Sequence, residues 1–283
     1  MNSEFLAKET NDFDLVIDAR RTELHYWHDL WRYRGLFYFL SWRDVLVRYK
    51  QTAFGIAWAV LQPFLTMAVF TVVFGRLAKL PSGNVPYPIM VFAALLPWQF
   101  FANSFAASST SLVNNANMIS KIYFPRLIIP ASAVVVGFVD FMISCVILAG
   151  MMAWYGFVPG WHIIILPVFV LMTFLTAIGA GLLVSAMNVK YRDFRYVVPF
   201  IVQLGLYISP VGFSSSIVPA KWRLLYSMNP MVGIIDGFRW SILGGNAKFQ
   251  YQGLVFSMAV LVLLLFAGIL YFRKAERGFA DVI

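Results

Sequence analysis

Residues 111–130 read SLVNNANMISKIYFPRLIIP, a polar and basic interruption between two long apolar runs. Asn114, Asn115 and Asn117 favour a turn or a helix cap, because their side chains compete for nearby backbone groups. A short helix over 118–123 follows. Pro125 stops it, since the residue before a proline is pushed out of the α region. The stretch reads as a brief exposed helix held between two membrane helices. An ordinary connecting loop gives the same pattern, so its meaning depends on the flanks.

The flanks require a bilayer. Of 283 residues, 60% are hydrophobic and only 12% charged, more apolar surface than a soluble fold of this size hides. A helical span needs about 20 apolar residues. Six segments qualify or come close: 53–75, 88–112, 127–155, 162–187, 196–213 and 252–272. The third is long and the fifth short. A formal net charge of +9 suits nucleic acid in soluble proteins, but here the cations sit beside apolar runs. The single cysteine, Cys145, allows no intrachain disulfide. The opening MNSEFLAKETNDFDLV is polar and acidic, unlike a signal peptide, and residues 1–21 read as a cytoplasmic tail.

Orientation follows from lysine and arginine. With the N-terminus inside, sixteen of the 22 cations fall on inner segments and six on outer ones. Both termini, the loop at 113–126 and the loop at 188–196 are therefore expected in the cytoplasm, and 214–250 outside.

Residues 22–50 read as an interfacial amphipathic helix. Leu24, Trp27 and Trp31 recur at helical spacing, and after Gly35 so do Phe39, Trp42, Leu46 and Tyr49. Arg43 and Lys50 flank this stripe, while Asp44 and Arg48 lie opposite. Such a helix suits the headgroup plane, although a helix packed on the protein reads similarly. On the other side, Ser214–Ser216 and Pro219 break the fifth span, and WRLLYSM forms a short helix. Asn229 then caps a helix with Pro230 at its first position, and Gly244–Gly245 ends it. Pro230 to Leu243 reaches only about 21 Å, too short to cross. It carries Asp236 and Arg239 at i,i+3 spacing, and reads as a re-entrant or surface half-helix. The fold class is thus an all-α integral membrane protein. Six transmembrane helices over 51–283 are joined by an N-terminal interfacial helix and outer re-entrant short helices.

No catalytic constellation is present. His25, His28 and His162 lie in different environments with no metal-ligand spacing. There is no GxxxxGK[ST] loop to cradle ATP and no pair of aspartate-rich motifs, so neither a metal nor a cofactor is expected in this chain. Asp140, deep in the third span, is a functional candidate by default, with a hydrogen-bonded structural acid as the alternative. Ala177, Gly181 and Ser185 form a small-residue stripe for close helix packing. Aromatics make up 17% of the chain, more than two interfacial belts need. Trp98, Phe101 and Phe105 crowd the second span near Pro97, with Phe70, Phe74, Phe200, Tyr207 and Phe213 as further candidates. They suit a path of weak stacking contacts, or simply core packing.

Five stretches, in order, resemble permease subunits of the ABC-2 type that export polysaccharides. WRDVLVRYKQTAFGIAWAVLQP (Trp42–Pro63) is similar to that family's entry into its first span. NNANMISKIYFPR (Asn114–Arg126) resembles its ATPase-coupling loop, and NVKYRDFRYV (Asn188–Val197) its second cytoplasmic loop. MNPMVGIIDGFRW (Met228–Trp240) resembles its outer gate, and FRKAERGFADVI (Phe272–Ile283) its cytoplasmic end. The resemblance implies a homodimeric permease in the bacterial inner membrane with two copies of an ATPase subunit, which binds the ATP and magnesium. It implies export of a lipid-linked, O-antigen-like glycan. Asn117, Ile119, Lys121, Phe124, Pro125 and Arg126 then form the ATPase contact. Arg32, Arg34, Arg43, Arg48 and Lys50 meet the lipid pyrophosphate, and Trp98, Phe101, Phe105 and Tyr207 line the substrate channel. Asn229, Pro230, Asp236 and Arg239 form the outer gate. Capsule or teichoic-acid export by the same fold is the nearest alternative. A secondary transporter using Asp140 and a membrane enzyme of isoprenoid lipids are the more distant ones.

Overall fold

The computed structural model describes residues 23–50, 55–81, 85–244 and 249–279. The expected tail over 1–21, the entry to the first span and the second glycine of the Gly244–Gly245 stop lie outside them. Among the described residues there are helices and turns and no strand. Five helices among the described residues are long and apolar enough to cross a membrane, against six expected from the sequence.

Among the described residues two helices precede the spans: α1 (Glu23–Arg32) and α2 (Arg34–Lys50). The backbone hydrogen bonds run on through their junction, from the Tyr33 amide to Asp29 at 2.9 Å and from the Phe37 amide to Tyr33 at 3.1 Å. The first crossing helix is α3 (Gly55–Phe70), prolonged by a π-helical turn over Thr71–Leu77. There the Ala78 amide reaches back five residues to Val73 at 2.9 Å. The second is α4 (Tyr87–Asn114), which starts after Pro86 with Pro88 in its first turn, where a missing N–H costs nothing.

The chain then makes one helical turn, α5 (Ala116–Ile119), before α6 (Ile128–Trp154). This short helix starts and ends earlier than the 118–123 expected. Its first turn is laid down on Asn115, whose carbonyl accepts from the Met118 and Ile119 amides at 3.0 and 3.1 Å. A 3-10 turn over Trp161–Ile165 leads into α7 (Leu166–Lys190). The expected fifth span is α8 (Phe194–Ile208), only 15 residues long. At 1.5 Å per residue it reaches about 22 Å, less than a hydrocarbon core. Short turns, α9 (Arg223–Tyr226) and α10 (Pro230–Leu243) precede the last crossing helix, α11 (Tyr251–Glu276).

The bundle is built round α4, which packs against α3, α6, α7, α8 and α10. Its small residues, among them Ala93, Ala94, Ser104 and Ser108, let neighbours approach closely. Gly137 of α6 lies against Ser104, and Gly181 of α7 against Ser108, so the predicted small-residue stripe meets α4 at its central glycine. A second close approach joins α7 to α11, where Gly179 and Gly268 leave no room for a methyl group.

The capping chemistry of α10 follows the sequence. Asn229 accepts from the Met231 amide at 3.0 Å, and Gly244 takes the left-handed conformation at φ 63°. Of the two placements considered for this helix, the surface one is corrected. Met231, Ile234, Ile235, Phe238 and Ile242 are all buried, and α10 is wedged between α4, α7 and α11.

Candidate functional site

One end of the bundle is organised by the 115–127 loop. Ile119, Phe124 and Leu127 are buried in a cluster with Leu40 of α2, Leu112 of α4, Leu182 of α7 and Phe272 of α11. Of the six residues predicted for the ATPase contact, Ile119, Phe124 and Pro125 are therefore anchors beneath the loop in the isolated chain. Asn117 and Lys121 are exposed. Ile122 and Tyr123, which the sequence reading passed over, are exposed as well. Large apolar side chains held outward on a buried base form a knob that a partner can cover. Arg126 faces inward: its backbone N–H donates to Glu276 Oε1 at 2.9 Å and its guanidinium to the Glu276 carbonyl at 2.5 Å. The other loop at this end, the 191–193 turn before α8, exposes Tyr191, Arg192 and Asp193.

The helix α2 leans along α6. Near its middle, Arg43 donates to Asp44 and to Asn115 Oδ1, at 2.8 and 3.0 Å. One turn further on, Arg48 meets Asp140 Oδ2 at 2.6 Å, and the Tyr49 hydroxyl donates to Asp140 Oδ1. Burial and the Asp140 carboxylate push the Tyr49 phenol above its usual range, which keeps it a donor. Asp140 lies 12 residues into α6, about 18 Å from its start. The acid in the span thus takes one hydrogen bond, from Tyr49, and one ion pair, with Arg48, both from a helix outside the span. Of the predicted stripe on α2, Phe39 and Trp42 are exposed, whereas Tyr49 turns inward to the acid.

The five cations proposed for a pyrophosphate do not converge. Arg34 and Lys50 stand 16 residues apart on one helix, about 24 Å, and Arg34 lies over the Trp31 ring at 5.4 Å. Arg32 sits on α1. Arg43 and Arg48 do share a groove of about 530 Å³, walled by Ala107, Thr110, Asn114 and Ala133.

In the middle of the bundle, Trp98 and Phe105 are buried within the single chain, at 4% and 3% exposure. The Trp98 ring abuts Gly205 of α8 and lies 5.8 Å from Phe101, which stacks on Phe105 at 5.5 Å. Tyr207 is exposed, stacked on Phe70 of α3 at 6.3 Å. It belongs to an open face of α8 with Tyr196, Phe200 and Gln203, a combination not singled out from the sequence.

At the far end, three of the four residues predicted for the outer gate, Asn229, Asp236 and Arg239, converge on the 208–216 turn that terminates α8, while Pro230 only opens α10. Arg239 is buried, and its guanidinium donates to the carbonyls of Met90, Val211 and Phe213 at 3.2, 2.6 and 2.6 Å. Asn229 donates to Ser209 Oγ at 2.9 Å, and Asp236 lies beside Ser215. Tyr226 holds the Ile208 carbonyl at 2.8 Å and Tyr87 the Gly212 carbonyl. These two tyrosines were missed, since nothing in their local sequence pairs them with a distant turn.

The arrangement is that of a multi-pass membrane permease: crossing helices with a braced, exposed loop at one end and a pinned turn at the other. Residues 35–243 match the family model described as ABC-2 type transporter, and the chain belongs to that family. It is 28% identical over 258 residues to the O-antigen export system permease protein RfbA of Myxococcus xanthus, spanning 90% of this chain and 98% of that protein. The protein of the same name from Klebsiella pneumoniae is 26% identical over 245 residues, spanning 85% of this chain and 92% of that one. The capsule polysaccharide export inner-membrane protein CtrC of Neisseria meningitidis is 22% identical over 246 residues, 84% of this chain and 90% of that protein.

Proposed function

We propose that this chain is the membrane-spanning permease subunit of an exporter that carries a lipid-linked, O-antigen-like polysaccharide out across the bacterial inner membrane. The observation that carries this reading is the near end-to-end match to relatives named as O-antigen export permeases. A separate ATPase subunit supplies ATP and magnesium chemistry. Two permeases and two ATPase subunits form the complex, and both termini and the 115–127 loop face the cytoplasm. The ATPase sits on the exposed part of the loop, around Asn117, Lys121, Ile122 and Tyr123. The groove between Arg43 and Arg48 meets the anionic head of the lipid carrier, where arginine is suited to paired phosphate oxygens. The pinned 208–216 turn is the outer gate.

A capsule-type glycan is the second reading, favoured by the capsule-export relative. The secondary-transporter alternative needs an acid free to bind its ion, and Asp140 is held by Arg48 and Tyr49.

The test is reconstitution with the candidate ATPase. Addition of the lipid-linked glycan is expected to raise ATP hydrolysis several-fold, and deletion of the chain is expected to remove the glycan from the cell surface. Hydrolysis indifferent to glycan, with the surface polymer intact in the deletion strain, refutes the proposal. Which polymer is lost, O-antigen or capsule, separates the two readings.

A further inference from the structure

The 115–127 loop is pinned at both ends by elements remote in sequence. At its entry Arg43 of α2 holds Asn115 at 3.0 Å. At its exit Glu276, in the last turn of α11, accepts the Arg126 amide on one carboxylate oxygen at 2.9 Å. The other oxygen accepts the Tyr26 hydroxyl of α1 at 3.0 Å. Burial and the Glu276 carboxylate push the Tyr26 phenol above its ordinary range, which keeps its proton in place. The Arg126 guanidinium grips the Glu276 backbone carbonyl at 2.5 Å and lies 5.8 Å over Phe279, while Arg273 lies 4.5 Å over Tyr26. Phe279 is buried edge-on against Phe272 at 5.6 Å. One carboxylate thus joins α1, the loop exit and α11.

From there α11 runs without a proline to the opposite end of the molecule. Nineteen residues back, about 28 Å along the helix, Ser257 accepts the Gly233 amide of α10 at 3.2 Å and donates to the Ser227 carbonyl at 3.1 Å. The helix α10 in turn carries Arg239 and its hold on the 208–216 turn. The helix α11 is a continuous strut with the loop fastened at one end and the gate helix at the other.

We infer that Glu276 is the positioning residue through which movement of the 115–127 loop is delivered to α11, and by α11 to α10. The inference rests on the reading of that loop as the ATPase contact. A carboxylate is suited to this joint, because its two oxygens take two donors at once with charge-assisted bonds. Glutamine offers one acceptor oxygen and alanine none.

The experiment uses the complete permease–ATPase complex in a Cys145→Ser background with Lys121→Cys as a cross-linking reporter on the loop. Glu276→Ala, Glu276→Gln and Tyr26→Phe are introduced, and abundance, cross-linking to the ATPase, basal hydrolysis and glycan exported per ATP are measured. Abundance, cross-linking and basal hydrolysis are expected to hold. Export per ATP is expected to fall about tenfold for alanine and about threefold for glutamine and for Tyr26→Phe, the scale of one or two such bonds. A purely structural Glu276 gives the opposite pattern: less protein, with unchanged export per ATP in what remains. If the alanine variant does not accumulate, the other two decide. Parental export per ATP in both, with the cross-link present, overturns the inference and leaves the loop assignment standing. Absence of the cross-link in the parent overturns the loop assignment and the inference with it.

Discussion

The Arg48 side chain is 44% exposed while its partner, the Asp140 side chain, is only 10% exposed. That asymmetry decides what each substitution does. Removing a partner from a fully buried pair costs about 3–5 kcal/mol, but solvent at Arg48 screens this one, so Arg48→Ala is expected to cost about 1–2 kcal/mol. Asp140→Asn keeps an acceptor for the Tyr49 hydroxyl and removes the charge, so it is expected to cost less. Combining the two is expected to recover most of the Arg48→Ala loss, because no unpaired acid remains. Thermal unfolding in detergent of the two single variants and the double measures this, and strictly additive losses would show that the pair carries no coupling. At this scale the sequence showed the acid but not its partners. Asp140 stands out because charge is rare inside a span. Arg48 and Tyr49 sit on another element, and no periodicity connects positions 48 and 140. The same holds for Arg239: its charge does act on Asp236, as the i,i+3 spacing suggests, but its donors meet carbonyls on α4 and beyond α8, which the sequence did not show.

Helices were legible wherever length and hydropathy alone define them, as in the long apolar runs of α4, α6, α7 and α11. They were less legible where tertiary packing decides. The helix α8 ends at Ile208 because the chain beyond it turns under Arg239, Asn229 and Tyr87. The sequence showed only an apolar run continuing to Phe213. Close packing of α7 was half legible: the Ala177–Gly181–Ser185 stripe meets α4 at Gly181, which lies against Ser108. The pairing of Gly179 with Gly268 was invisible, since it depends on which helix lies beside α7. A methyl on Gly268 would stand 2.3 Å from the Gly179 carbonyl oxygen, whereas one on Gly150 meets nothing within 4 Å. Gly268→Ala must therefore push α11 off α7, at an expected cost of about 1–3 kcal/mol. Gly150→Ala is expected to be neutral or to stabilise α6 by up to about 1 kcal/mol, through helix propensity alone. Paired melting curves check this. Equal melting temperatures for the two variants would show that the α7–α11 contact is slack.

For the molecule as a whole, the proposed function requires a path for a glycan where polar and aromatic groups face neither protein core nor lipid. Trp98 was among the sequence's channel candidates because aromatics crowd the second span there, yet it is 4% exposed in one chain and packed against Gly205. The open face of α8 fits better. Tyr196, Phe200, Gln203 and Tyr207 follow one another at helical spacing and are exposed. An amide in the middle of that face would be costly against lipid tails, where it finds no hydrogen-bond partner. The face is therefore expected to meet a water-filled path between two copies of the chain, with aromatic rings offering weak stacking along it. This yields a pair of opposed outcomes. Phe200→Ala with Tyr207→Ala is expected to leave membrane abundance and basal ATP hydrolysis near the parent's and to cut glycan export several-fold. Trp98→Ala is expected to lower abundance first, because truncating a buried large aromatic costs about 3–5 kcal/mol, with export falling only in proportion to the protein lost. Quantifying export per permease molecule distinguishes them. If Trp98→Ala abolishes export at full abundance while the α8 double variant exports normally, the path runs past α4 and the face of α8 is a packing or lipid surface.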